Sequence, residues 1–132
     1  MKKLGFGLMR LPKINGEIDI EQVKSMADAF LSNGFTYFDT AYVYENSEVA
    51  FKEAVVKRYN RSDYYIADKL TAWKLKEGFD KEEIFKESLD RLGIEYIDYY
   101  LLHAVQEANI EIYNENGCWN FCQELKKKGL IK

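Results

Sequence analysis

Four side chains in this sequence have the types needed to hand over a proton: the carboxylate of Asp39, the phenol of Tyr44, the amine of Lys69 and the imidazole of His103. The reaction that such a set serves is reduction of a carbonyl. A hydride arriving at the carbonyl carbon leaves negative charge on oxygen, which needs a proton and a polarising donor. A phenol is a weak acid at neutral pH, with an ordinary pKa of about 10. A nearby ammonium favours its phenolate, and Lys69 is the cation that the pattern offers to Tyr44. Asp39 is placed to hold Lys69 charged and aimed. His103 is placed to hydrogen-bond the substrate oxygen, or to help relay the proton.

Taken singly, each residue has a plain structural explanation. Asp39 caps a loop, Tyr44 is one tyrosine among ten, Lys69 is a solvated charge, and a lone histidine after an apolar strand is a hydrogen-bonded structural residue. Their spacing argues otherwise. Met9, Asp39, Lys69 and His103 fall 30, 30 and 34 residues apart, a near-constant step with the length of one strand-plus-helix unit. All four positions then lie at one sheet edge, the edge where chemistry collects in parallel α/β folds.

The elements that must position them alternate along the chain. A first apolar run, Leu4 to Leu11, stops at Pro12 and the Asn15-Gly16 turn signal. Asp19 reads as an N-cap with Gln22 three residues on, and Val23, Met26, Ala27, Phe30 and Leu31 make one helical face closed by Asn33-Gly34. A second strand covers Phe35 to Asp39. Ser47 then caps a helix reaching about Tyr59, with Val49, Ala50, Ala54 and Val55 as its buried stripe. The third strand is Tyr64 to Lys69. Asp80 caps a helix whose Ile84, Phe85, Leu89 and Leu92 face inward until Gly93. The fourth strand, Tyr96 to Leu102, ends on His103, and a last helix from Cys118 to Lys128 buries Cys118, Phe121, Cys122 and Leu125. Ala104 to Gly117 fits no pattern and reads as an extended loop with a helical turn. The order βαβαβαβα implies parallel neighbours, because a parallel pair needs a long crossover.

Composition narrows the class further. A hydrophobic fraction of 47% and an aromatic fraction of 15% predict a packed core. The net charge of −3, with both signs interspersed, carries no nucleic-acid footprint. No charged-then-apolar leader and no 18-residue apolar run appears, so a membrane partner is not expected and a reducing cytoplasm is the default. Cys118 and Cys122 sit four apart on one helical face, poor geometry for a mutual disulfide, and too few ligands surround them for a metal site.

The segments Phe38-Asp39-Thr40-Ala41-Tyr42-Val43-Tyr44-Glu45, Asp68-Lys69 and Tyr99-Tyr100-Leu101-Leu102-His103 resemble the signatures of the aldo-keto reductase family. Leu89 to Asp98 looks like that family's approach to strand four, and Gly5 to Pro12 is similar to strand one of bacterial branches with Met-Arg-Leu there. The likeness covers essentially the whole chain. It implies an α/β fold, a parallel TIM-type (β/α)8 barrel, of which residues 1–132 supply the N-terminal half with about four βα units. It implies an NADPH-dependent reductase of aldehydes and ketones, with NADH as the other possible cofactor. In that scheme Tyr44 is the general acid, Lys69 its modulator, Asp39 the modulator of Lys69, and His103 the orienter of the substrate. Gly7, Leu8, Met9 and Asp39 are the implied cofactor-binding positions, Leu8 standing where many members carry a small polar residue.

Other candidates read as structure. Asp98 is expected to cap or pair locally near the start of strand four. Tyr42 and Trp73 stand in loops after strands, where each serves either the mouth of a pocket or loop packing. Gly5-x-Gly7 is too short for a phosphate loop, and Lys126-Lys127-Lys128 is a solvated helix end. A closed barrel takes about 250 residues. The chain is therefore expected to stop before strand five, to lack most cofactor contacts, and to be incompetent alone. Two further expectations follow: self-association or pairing with a complementary half-barrel, and, as the competing function, a non-catalytic fragment or interaction module.

Overall fold

A computed structural model of the chain describes residues 2–132. Its elements run β1 (Gly5–Gly7), β2 (Lys13–Ile14), β3 (Glu17–Ile18), α1 (Ile20–Ser32), β4 (Tyr37–Asp39), α2 (Ser47–Phe51, continued as a π-helical turn over Lys52–Val56), a 3₁₀ turn (Arg61–Asp63), β5 (Tyr65–Leu70), α3 (Ala72–Lys76), α4 (Lys81–Leu92), β6 (Tyr99–Leu102), α5 (Ile110–Glu115) and α6 (Cys118–Lys127). The main sheet has the order β1-β4-β5-β6, parallel throughout. That is the arrangement the alternation of strands and helices predicts.

Strand alternation divides the sheet into two faces. Phe6, Phe38, Ile66, Leu70 and Tyr100 turn toward the helices, where Phe38 meets Phe30 of α1 and Phe51 of α2, and Tyr100 meets Phe85 of α4. These edge-on and tilted ring pairs pack among the aliphatic side chains of the core, including Val23, Val55, Ile66, Leu70, Ile84 and Leu92. The opposite face carries Gly7, Tyr37, Asp39, Ala67, Lys69, Tyr99 and Leu101. Among the described residues no helix covers it, and Tyr65, Tyr99 and Leu101 remain exposed there.

The expected caps at two helices are present. Asp19 accepts the Gln22 N–H at 3.1 Å, and Asp80 accepts the N–H groups of Glu82 and Glu83. Several boundaries differ, each for a local reason. The first strand is three residues long, because Leu8 dives into the core at 2% exposure and Met9 swings out to 59%. Asn15 and Gly16, both at positive φ, close a two-residue hairpin between β2 and β3. Ser47 is not the cap of α2: Asn46 holds that position, and the Ser47 hydroxyl is buried against Thr40. Val49 lies on the outer side at 41% exposure, the buried stripe being Ser47, Ala50, Phe51, Ala54 and Val55.

Three further departures concern segments near the strand ends. The fourth strand of the sheet starts at Tyr99; before it, Ile97 makes a parallel bridge with Ile131. Asp98 pairs across the fold and not locally, binding Arg61 at 2.6 Å and the Ile66 N–H at 2.9 Å. The stretch after His103 contains α5, whose Tyr113 is fully buried.

Candidate active site

Parallel register brings the C-terminal ends of the strands together. Gly7 pairs with Asp39, Asp39 with Ala67, and Lys69 with Leu101, two residues before His103. Inward-facing positions at these ends therefore converge over one edge, and three of the four sequence-predicted catalytic residues sit on or directly after strands. The fourth, Tyr44, is on the turn between β4 and α2, tied back by its N–H to Ala41 and by its carbonyl to Ser47.

The ammonium of Lys69 is nearly buried. It donates to the Asp39 carboxylate at 2.6 Å and to the Thr40 carbonyl. It also stands 4.9 Å from the centroid of the Tyr44 ring, within range of a cation–π contact. Tyr44 meets His103 edge to face, with centroids 5.7 Å apart, and Trp73 meets the same imidazole in a tilted arrangement at 5.2 Å. Thr71 Oγ1 is 3.4 Å from His103 Nδ1. Burial first, and then the Lys69 charge, hold the imidazole below its ordinary value of 6.5, against an opposing pull from Asp39. The site thus favours the neutral form of the His103 imidazole. All four residues of the predicted set are brought together.

The cofactor-binding positions behave differently from one another. A Cβ built on Gly7 would meet no atom within 4 Å, so the surface above it is open. Met9 is exposed beside it. The Leu8 side chain is in the core and its N–H is taken by the Asp39 carbonyl at 2.8 Å, so the exposed surface here belongs to Gly7 and Met9. Trp73 faces the site on α3. Tyr42 does not: it is buried, donates to Glu87 at 2.6 Å and packs under the Arg91 guanidinium at 4.6 Å.

Residues behind the sheet support the site, and sequence reasoning missed them. Arg91 of α4 donates to Glu48 at 3.1 Å, to Glu87 and to the Tyr42 carbonyl at 3.4 Å, so one guanidinium grips both ends of the Tyr44 turn. Lys13 of the small hairpin holds Glu45 at 2.7 Å. Beneath Lys69, Asp68 is fully buried beside Glu48; burial, followed by the Glu48 charge, pushes its carboxyl well above the ordinary range. Strand alternation alone places Asp68 on the helix-covered face, a signal that was available in the sequence.

The parallel α/β sheet gathers an acid, a cation and an imidazole at its C-terminal edge, the edge where barrel-type α/β folds place their chemistry. The comparisons with known proteins agree. The model of the aldo/keto reductase family matches residues 3–132, and the chain belongs to that family. It is 33% identical over 132 residues to a methylglyoxal reductase of Escherichia coli O157:H7, covering all of this chain and 43% of that protein. It is 31% identical over 131 residues to the glyoxal reductase of Bacillus subtilis (strain 168), covering 96% of this chain and 42% of that one. Among solved structures, a thermostable aldo-keto reductase in complex with the inhibitor epalrestat superposes with a TM-score of 0.76 at 25% identity, over 99% of this chain and 47% of the other. An aldo-keto reductase from Klebsiella pneumoniae, in complex with NADPH, gives 0.70 at 22% identity, over 96% and 42%. The four-stranded arc is therefore an aldo-keto reductase TIM-barrel fold in part, and the chain spans less than half the length of the curated relatives it matches. Among the described residues no helix is long and apolar enough to cross a membrane.

Proposed function

We propose that this chain carries the proton-handling apparatus of a nicotinamide-dependent reductase of aldehydes and ketones, with Tyr44 as general acid. The observation that carries the reading is the single edge at which the Tyr44 ring, the Lys69 ammonium and the His103 imidazole meet. Tyr44 gives its proton to the carbonyl oxygen as charge develops there. Lys69, fixed by Asp39 and the Thr40 carbonyl, stabilises the phenolate left behind. His103, half-buried and held toward its neutral form, hydrogen-bonds the same oxygen and orients the substrate.

The group that supplies the hydride is a nicotinamide, NADPH by preference and NADH as the alternative. The open surface over Gly7, between Met9 and the Asp39 carboxylate, suits the face of a flat ring. NADPH is the cofactor present in the Klebsiella structure that shares this fold. Relatives named methylglyoxal reductase and glyoxal reductase point to small dicarbonyls as the substrate class. The uncovered sheet face with Tyr65, Tyr99 and Leu101, flanked by the open edges of β1 and β6, favours pairing with a second copy or a complementary half-barrel. The free thiols Cys118 and Cys122 suit a reducing cytoplasm.

The test is methylglyoxal-dependent oxidation of NADPH by the chain, alone and co-expressed with the remaining strands of the Bacillus relative. The parent should turn over in the assembled form, and Tyr44→Phe should lower turnover by on the order of a hundredfold or more. A Tyr44→Phe variant with the parent's rate would overturn the assignment.

A further inference from the structure

Tyr113 lies on α5, in the stretch between Ala104 and Gly117 where the sequence has no regular pattern, and none of its side chain is exposed. Its hydroxyl sits between the two strand ends that carry Lys69 and His103. It donates to the His103 carbonyl at 2.7 Å, lies 3.1 Å from the Leu70 carbonyl, and accepts the Ala72 N–H at 3.0 Å. The hydroxyl's hydrogen-bonding capacity is thereby spent on backbone alone.

That geometry is more than packing requires. A phenylalanine would fill the same volume, so the hydroxyl is present for its three backbone partners. Ala72 is the first residue of α3, where an N–H has no partner within the helix. The last ladder pair between β5 and β6 is Leu70 with Leu102. Beyond it the ends are joined by the His103 N–H to the Leu70 carbonyl at 2.8 Å, and by Tyr113.

The backbone after His103 needs such a hold. Ala104 has φ +50°, in the left-handed region that a Cβ disfavours. A residue held there persists only where its surroundings fix it. The Tyr113 hydroxyl grips the carbonyl immediately before Ala104, and Asn109 Nδ2 grips the carbonyl of Ala104 itself at 2.9 Å.

We propose that Tyr113 is a positioning residue of the candidate active site, its hydroxyl clasping the ends of β5 and β6 and so fixing the His103 imidazole against Tyr44 and Trp73. The inference rests on reading Asp39, Tyr44, Lys69 and His103 as the proton-handling set. It adds a residue that touches neither substrate nor cofactor and acts through His103 and the α3 turn bearing Trp73.

The experiment exploits the fact that His103 is the chain's only histidine, so its imidazole gives one set of NMR signals in the untagged protein. The titratable groups facing it are Tyr44, Lys69 and Asp39, and none is altered by Tyr113→Phe. Release of the His103 carbonyl should let the ring gain solvent, moving its titration midpoint up toward 6.5. In the assembled reductase kcat should fall on the order of ten- to a hundredfold, with KM for NADPH unchanged. Adding Ala104→Gly to Tyr113→Phe should bring the His103 signal back toward the parent, since glycine takes the left-handed backbone without strain. A His103 titration in Tyr113→Phe that superimposes on the parent's would overturn the proposal, whatever the variant's stability. Failure of the proton-handling reading has a separate mark: full carbonyl reduction by Tyr44→Phe with the His103 shift in Tyr113→Phe still present.

Discussion

The ammonium of Lys69 donates to the carboxylate of Asp39 at 2.6 Å, and this bond ties the end of β5 to the end of β4 beneath the Tyr44 ring. Lys69 is nearly buried whereas Asp39 is about one-third exposed. Removing the lysine therefore leaves a carboxylate that water can still reach.

Lys69→Met should accordingly be mild in stability and severe in function. The lost charge-assisted bond is partly screened at Asp39, so unfolding in urea should be easier by only about 1 kcal/mol. Turnover should drop on the order of a hundredfold, because no cation remains to stabilise a Tyr44 phenolate. The same variant should raise the His103 titration midpoint, since the Lys69 charge is one of the two causes that depress it. A His103 midpoint that falls or stays fixed in Lys69→Met would contradict the electrostatic account.

Asp68 gives a prediction with a definite sign in pH. Its Oδ2 and the neighbouring Glu48 Oε1 are both buried without a donor, and the Ser88 and Tyr100 hydroxyls nearby are also unpaired. Two carboxyl groups facing each other become a hydrogen bond when one of them keeps a proton. The folded state thus holds the Asp68 proton well above the ordinary 3.8, while the unfolded chain releases it there. Folding is favoured below 3.8, and that contribution is lost as pH rises toward the raised folded value. Asp68→Asn keeps an acceptor for the Lys69 N–H, at 2.7 Å in the parent, and supplies a permanent donor toward Glu48. At pH 7 the variant should be more stable by on the order of 1 kcal/mol, and the difference should vanish in acid. Urea titrations of both proteins across pH 4 to 7 measure it.

How far this site was legible in the sequence depends on where each residue's partners lie. Asp39, Lys69 and His103 follow from strand ends at a regular step, since parallel register turns even spacing into proximity. Asp19 and Asp80 were legible as caps because a cap acts within three residues. Val49 is apolar and adjoins Ala50 in sequence, but one residue is more than a quarter turn on a helix, so it falls outside the stripe of Ala50, Ala54 and Val55. Asp98 and Tyr113 are opaque for another reason: Asp98 bonds residues 32 and 37 positions away, and Tyr113 bonds backbone 10, 41 and 43 positions away, distances at which no local pattern announces a bond.

Arg91 should prove more important to folding than any residue in the site itself. Glu48 is buried at 2% exposure, and Arg91 is the cation that faces it. Arg91→Met would leave that carboxylate unpaired beside Asp68, and breaking a buried pair in this way costs about 3–5 kcal/mol. Arg91→Lys keeps the charge but cannot hold Glu48, Glu87 and the Tyr42 carbonyl together, so an intermediate loss is expected. Thermal unfolding by circular dichroism should rank the three proteins parent, Arg91→Lys, Arg91→Met. Equal midpoints for parent and Arg91→Met would show that the clamp contributes nothing.

Gly7 separates the fold from the cofactor site. It is a strand residue at ordinary backbone angles, its neighbour in the register is Asp39, and a Cβ there meets no atom within 4 Å. A β-branched side chain suits a strand, so Gly7→Val should change stability by no more than about 0.5 kcal/mol. The added methyls would nevertheless stand in the open space assigned to the nicotinamide ring. KM for NADPH in the assembled reductase should rise on the order of tenfold or more, a loss of about 1.4 kcal/mol of binding, while the His103 titration stays at the parent's midpoint. Unchanged KM together with unchanged stability would move the cofactor away from β1 and leave Asp39 as a partner of Lys69 alone.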